Sequence, residues 1–140
     1  MADHPDLERF DLSSLRYISG ATPVTESVAA VTARTGVRFL PAYGASELPV
    51  ITCNPVDRPA EWRLDSAGLP VEGVRIRVVD LETGAEVEPG ATGEIQVSSP
   101  SVMAGYLPDD ANVDGFADGW YRTGDVGWVE PDGWLHSPIG

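Results

Sequence analysis

Val74-Arg75-Ile76-Arg77-Val78 alternates apolar and cationic side chains over five consecutive positions. This is the two-residue period of a strand with one face buried and one solvated. Val79 and Asp80 carry the pattern to Glu82-Thr83-Gly84, which supplies a turn. Further on, Ile95 and Val97 alternate with Glu94 and Gln96. Val126 to Val129 and Trp134 to His136 flank Glu130-Pro131-Asp132-Gly133, a strong hairpin turn. Gly- and Pro-rich loops separate these segments, so the chain from about Trp62 onward reads as antiparallel β-structure.

Upstream the period changes. Leu15 to Ile18 reads as a short buried strand ending at Gly20. Thr22 is placed to cap a helix, with Pro23 at the first helical position, where a missing N–H costs nothing. Val24, Val28, Val31 and Ala29 fall near helical spacing and form the expected buried stripe, and Gly36 fits the C-terminal stop. Val37 to Leu40 reads as the next strand. Strand, helix, strand implies a right-handed parallel crossover. Val50, Ile51 and Thr52 favour extended structure. The link from Asn54 to Ala67 contains Pro55 and Pro59 and has no clear period. The fold expected is therefore α+β. Residues 1–56 form the end of an α/β nucleotide-binding piece, and residues 57–140 form a mostly antiparallel barrel. No internal repeat or low-complexity tract is visible.

Bulk properties narrow the function. The 140 residues are 42% hydrophobic, enough for a packed core and too many for a disordered segment. Asp and Glu number 22 against nine basic residues, all Arg, for a formal charge of −13. Such a surface repels nucleic acid and anionic membrane, which both need a basic patch. No apolar run approaches the roughly 20 residues of a membrane span, and no charged-then-apolar signal segment opens the chain. Cys53 is the only cysteine, which rules out an internal disulfide and fits a reducing, cytoplasmic setting. It has no nearby His and reads as a buried small hydrophobe. His4 and His136 have no metal-site spacing.

Three clusters can carry chemistry. In Tyr43-Gly44-Ala45-Ser46-Glu47, just after an apolar strand, Gly44 allows close backbone approach to a ligand and Ser46 can donate to a phosphate oxygen. Glu47 is a hard oxygen ligand suited to Mg²⁺, and Tyr43 can stack on a nucleobase. The same residues also fit a plain glycine turn with an exposed Ser and Glu. In Tyr121-Arg122-Thr123-Gly124-Asp125, the Asp125 carboxylate suits the vicinal diol of a ribose, and Arg122 reads as its local partner. A β-turn capped by its own acid explains this stretch equally. Ser19-Gly20-Ala21-Thr22-Pro23 leaves room for a ligand at a strand-to-helix junction, or is simply a tight turn.

The order of these motifs says more than each alone. Tyr43 to Glu47, then Gly93-Glu94-Ile95 with Met103-Ala104-Gly105-Tyr106, then Gly119 to Gly127, resembles the adenylate-forming superfamily of acyl-CoA synthetases, aryl-CoA ligases, luciferases and peptide-synthetase adenylation domains. Asp65 to Pro70 and the strand from Val74 to Asp80 also resemble that family's course into a small β-barrel. The resemblance runs from about Leu12 to His136 and is nearest to acyl-CoA synthetases. It implies ATP, Mg²⁺ and CoA as reactants or cofactors and a carboxylic acid as substrate. By position it implies Glu47 as the Mg²⁺-binding and catalytic acid. Ser46, where the family usually has Thr, would contact the α-phosphate. Tyr43 and Gly44 would line the adenine, Asp125 would hold the ribose, and Gly20 and Ala21 would be the small residues between the adenine and acyl pockets.

The same resemblance places the family's phosphate loop upstream of this stretch, and its hinge and lysine-bearing C-terminal domain downstream. The expectation is that another region or chain supplies both, and that these 140 residues alone are inactive. Two alternatives remain at this point: a non-catalytic binding remnant of the same fold, and an amino-acid-adenylating peptide-synthetase domain.

Overall fold

The computed structural model describes residues 4–6, 9–21 and 26–137. The chain begins with strand β1 (Tyr17–Gly20), helix α1 (Glu26–Thr35) and strand β2 (Arg38–Ala45), with β1 and β2 parallel and Ile18 opposite Phe39. This is the expected strand–helix–strand order with parallel pairing. The proposed helix cap, Thr22 with Pro23, and the stripe residue Val24 lie outside the described residues. The other end is as expected. Gly36 takes φ +70° and donates its N–H to the Thr32 carbonyl at 2.9 Å, the left-handed stop that glycine adopts without a Cβ penalty. Within the helix, Val31 is buried and Val28 half-buried, but Ala29 is exposed, so the buried stripe is narrower than the spacing implied. The first strand also differs from expectation. It lies two residues later and its side chains are exposed or half-buried, because β1 pairs on one side only, with β2. Leu15, expected inside, is 45% exposed.

Strand β2 is buried at Phe39, Leu40, Pro41 and Tyr43, as befits a strand with a neighbour on each side. It turns through Ser46 and Glu47 into antiparallel β3 (Leu48–Cys53), which pairs with the short β4 (Leu69–Pro70). The remaining strands form the antiparallel half: β5 (Arg75–Val79), β6 (Gly93–Ser98), β7 (Phe116–Ala117), β8 (Trp120–Val129) and β9 (Leu135–His136). Their order is β5-β6-β8-β7 with β9 on β8, a curled half-barrel. A short helix, α2 (Asn112–Gly115), precedes β7. The Glu130–Gly133 turn closes the β8–β9 hairpin, with Gly133 at φ +91° donating to the Glu130 carbonyl at 2.8 Å.

One core serves both sheets. Tyr43, Leu48, Ile51 and Ala67 pack with Ile95, Val97, Tyr121 and Leu135. Ile51, Ile95 and Leu135 are 0% exposed, and burying each such side chain stabilises the fold by about 1.5–3 kcal/mol. The aperiodic link is held by polar groups rather than an apolar stripe. Asn54 is 1% exposed and accepts the Arg63 N–H at 2.7 Å. The Ser66 hydroxyl donates to the Leu135 carbonyl at 2.7 Å, and Thr52 donates to the Ala67 carbonyl at 2.8 Å. Satisfied in this way, buried polar groups fix a segment without leaving orphaned donors.

The outer face of the half-barrel is less solvated than the alternation suggested. Glu94 and Gln96 are buried because arginines from both neighbouring strands lie across them. Arg77 donates twice to Gln96 Oε1, at 2.9 and 2.7 Å. Arg122 pairs with Glu94 at 3.1 Å. Arg122 thus serves β6, not Asp125 as the sequence suggested.

Candidate functional site

Both chemistry-bearing motifs sit at breaks in sheet register. Between β2 and β3, Tyr43 stands opposite Thr52 but Ala45 opposite Leu48, so β3 carries extra residues around Pro49 and Val50. Proline lacks the N–H a regular ladder needs and is accommodated at such a bulge. The bulge brings Pro49 so close to Gly44 that an added Cβ would lie 2.1 Å from the Pro49 carbonyl oxygen. Ser46 and Glu47 are the two residues of the turn, Ser46 exposed and Glu47 half-buried.

The second break lies between β6 and β8. Gln96 pairs with Arg122 and Glu94 with Val126, leaving Thr123-Gly124-Asp125 as the bulge. Gly124, at φ +75°, makes the left-handed bend. The Thr123 hydroxyl donates to the Ile95 carbonyl at 2.7 Å and accepts the Asp125 N–H at 3.1 Å. The motif is thus an irregularity inside one ten-residue strand, not a free β-turn. Asp125 is exposed, and it does not cap its own turn.

The two bulges meet. Tyr43 Oη donates to Asp125 Oδ2 at 2.5 Å, joining residues 82 positions apart. Burial, and then the hydrogen bond to Asp125, push the Tyr43 hydroxyl well above the usual tyrosine range, so it stays a donor. Tyr43 is only 8% exposed and its ring is part of the core; the hydroxyl is what it turns toward the second motif. Gly20 pairs with Pro41, two residues before Tyr43, and the Ser19 hydroxyl donates to the Leu40 carbonyl at 2.9 Å. These bonds bring Gly20 and Ala21 to the same end of β2.

Glu47 has a tyrosine of its own. Tyr106 Oη donates to Glu47 Oε1 at 2.6 Å and lies 3.4 Å from Tyr121 Oη. The Tyr106 hydrogen bond holds the Glu47 carboxyl below its usual range, so it is an anion at neutral pH. Tyr106 is itself held by Asn112, which accepts its N–H at 2.6 Å and donates to its carbonyl at 3.1 Å. The Met103 N–H donates to the Glu47 carbonyl at 2.9 Å, pinning this loop to the hairpin. Tyr106 and Thr123 lie inside motifs visible in the sequence, but their roles were not. They act on neighbours 59 and 28 residues away, which no local spacing encodes.

The donor set bears on a metal. Among the described residues no group of three or more His, Cys, Asp or Glu is arranged to hold a cation. Glu47 therefore supplies a single carboxylate. That fits Mg²⁺, which takes one or two carboxylates and completes its shell with water and phosphate oxygens.

Comparison with known proteins identifies the family. A family model described as AMP-binding enzyme matches residues 1–107. An indoleacetate–CoA ligase of Aromatoleum aromaticum is 38% identical over 137 residues, covering 96% of this chain and 27% of the ligase. A long-chain-fatty-acid–CoA ligase of Yersinia pestis is 37% identical over 139 residues, covering 96% and 24%. The amide bond synthetase McbA of Marinactinospora thermotolerans has a TM-score of 0.80 at 38% identity, over 99% of this chain and 28% of that one. The O-succinylbenzoate coenzyme A synthetase MenE of Bacillus subtilis, solved in complex with AMP, has a TM-score of 0.74 at 30% identity, over 89% and 26%. The chain spans about a quarter of the length of these relatives. Its motifs, its sheets and these matches agree: the chain belongs to the AMP-binding family of adenylate-forming enzymes.

Proposed function

We propose that this chain is the nucleotide-holding portion of an ATP-dependent, acid-activating ligase. The observation that carries the reading is the Tyr43–Asp125 hydrogen bond, which joins the β2–β3 hairpin and the β8 bulge into one surface. On that surface Asp125 accepts the ribose hydroxyls, while Gly44 and the edge of Tyr43 line the adenine. The exposed Ser46 hydroxyl donates to the α-phosphate. Gly20 and Ala21, having little or no side chain, leave space between adenine and acid. Glu47 would hold Mg²⁺, which would neutralise phosphate charge.

In the reaction proposed, a carboxylate oxygen of the acid attacks the α-phosphorus. The bond to the β-phosphate bridging oxygen breaks and pyrophosphate leaves, giving an acyl-adenylate. The CoA thiol then loses its proton as its sulfur attacks the acyl carbon, the bond from that carbon to the bridging oxygen breaks, and AMP departs carrying that acid-derived oxygen. The contribution of these residues is orientation and charge complementarity. We propose that a separate region supplies cationic groups for the leaving pyrophosphate, since the 140 residues contain no Lys. Similarity to an amide bond synthetase as well as to CoA ligases supports adenylation as the shared step and leaves the second nucleophile to experiment.

The test is ATP–pyrophosphate exchange in a complete ligase carrying this segment, followed by product analysis with CoA and with amines. Glu47→Gln keeps size but removes the charge a hard cation needs. Exchange should fall steeply with AMP affinity little changed. Undiminished exchange would show the metal is held elsewhere and overturn the assignment of Glu47.

A further inference from the structure

We propose that Tyr43, besides lining the base, is a positioning residue for ribose recognition, acting through its hydroxyl on Asp125. This rests on the nucleotide reading above. Asp125 is exposed, and it sits in a glycine-containing bulge, where the β6–β8 ladder is interrupted. An exposed carboxylate there samples several rotamers, and ordering it on binding costs free energy. Two contacts remove that freedom before a ligand arrives. Thr123 Oγ1 accepts the Asp125 N–H at 3.1 Å and fixes the backbone. Tyr43 Oη donates to Oδ2 at 2.5 Å and fixes the carboxylate plane.

The donor is itself immobile. Tyr43 is 8% exposed, on a central strand, in the core cluster with Tyr121 and Ile95. Its ring cannot swing out without opening that cluster. The hydroxyl uses one acceptor site of Oδ2. Oδ1 and the second lone pair of Oδ2 remain for two neighbouring hydroxyl donors. The result is a carboxylate held in one orientation, suited to a vicinal diol.

The prediction differs from that of a base-stacking tyrosine. Tyr43→Phe keeps the ring and its burial and removes only the hydroxyl. Binding of AMP and of 2′,3′-dideoxyadenosine monophosphate to the 140-residue chain is measured by NMR titration for wild type, Tyr43→Phe, Asp125→Ala and the double variant. Thermal unfolding is followed in parallel. Tyr43→Phe should weaken AMP about two- to tenfold, the scale of ordering one free side chain on binding, and leave the dideoxy nucleotide unchanged. The double variant should bind AMP no more weakly than Asp125→Ala alone.

Ribose-selective loss in Asp125→Ala but none in Tyr43→Phe would overturn the role of Tyr43 while leaving the nucleotide reading intact. Equal loss of both nucleotides in Tyr43→Phe, tracking a lower Tm, would reduce Tyr43 to a structural support and overturn it as well. No AMP binding by wild type, or AMP affinity unchanged in Asp125→Ala, would remove the nucleotide reading and this inference with it.

Discussion

Gly44→Ala isolates the steric demand of the β2–β3 bulge. Gly44 does not have a positive φ, so alanine brings no backbone strain there. What it brings is a clash. The new Cβ would stand 2.1 Å from the Pro49 carbonyl oxygen and 2.7 Å from its carbon, where ordinary contact begins at 3.4 Å. Relief requires a backbone shift of roughly 1 Å, since both atoms are main chain and no side-chain rotation moves them. Overpacking of this kind costs about 1–3 kcal/mol. At roughly 3–5 °C per kcal/mol for a domain of this size, Tm should fall by roughly 3–15 °C. The shift falls next to Ser46 and Glu47, and a displacement near 1 Å at a positioning group can cost about 10²-fold in activity. The control is Gly73→Ala. Gly73 has φ +79° and nothing within 4 Å of an added Cβ, so only the conformational penalty of about 1 kcal/mol applies. Thermal unfolding and ATP–pyrophosphate exchange in a complete ligase carrying this segment read out both effects. Gly44→Ala within 0.5 kcal/mol of wild type, on the scale of about ±0.5 kcal/mol for neutral substitutions, would refute the steric reasoning.

Other expectations follow from the same geometry. Ile95→Ala empties a 0% exposed position in the shared core and should cost about 2–5 kcal/mol in denaturant unfolding; a loss below 1 kcal/mol, on the order of an exposed site, would mean the two sheets do not share that core. Tyr106→Phe removes the donor that depresses the Glu47 carboxyl, so the Glu47 titration, followed by carboxyl NMR, should move up toward the ordinary carboxylate range. Because the folded value is depressed, the stability this bond adds is present above the ordinary carboxylate range. It is lost as pH falls through the folded value, so wild type and Tyr106→Phe should converge in acid. A stability gap that persists or widens in acid would show that the hydroxyl acts on something other than the Glu47 anion. The 140-residue chain, with a formal charge of −13 and no Lys, should give no ATP–pyrophosphate exchange above the no-enzyme control with fatty or aromatic acids; exchange abolished by Glu47→Gln would show these residues suffice.

The strands of the half-barrel were legible because their apolar residues repeat every second position, as at Ile76, Val78, Ile95 and Val97. The crossover was legible for the matching reason at Val28, Val31 and Gly36. The sequence could not show that the polar positions Glu94 and Gln96 would also be covered. Their cover comes from Arg77 and Arg122 on other strands, and long side chains reach partners that no period encodes. Asn54 and Ser66 escaped notice for the same reason: each is an ordinary loop residue until its carbonyl and N–H partners arrive from elsewhere. For the candidate site, the motif residues were visible by type and order, but both read equally well as turns. What separates a turn from a bulge is strand register, a property of two strands and not of one. The bonds from Tyr43 to Asp125 and from Tyr106 to Glu47 span 82 and 59 residues. Among the described residues no helix is long and apolar enough to cross a membrane.

The central claim is that the hairpin at Tyr43–Glu47 and the bulge at Thr123–Asp125 form one nucleotide surface. Amide chemical-shift mapping of the labelled 140-residue chain during AMP titration tests it directly. Tyr43, Gly44, Ser46, Thr123, Gly124 and Asp125 should shift together along one binding isotherm, and Asp125→Ala should weaken that isotherm for the hairpin residues as well. Shifts confined to one motif, or separate isotherms for the two, would contradict the account.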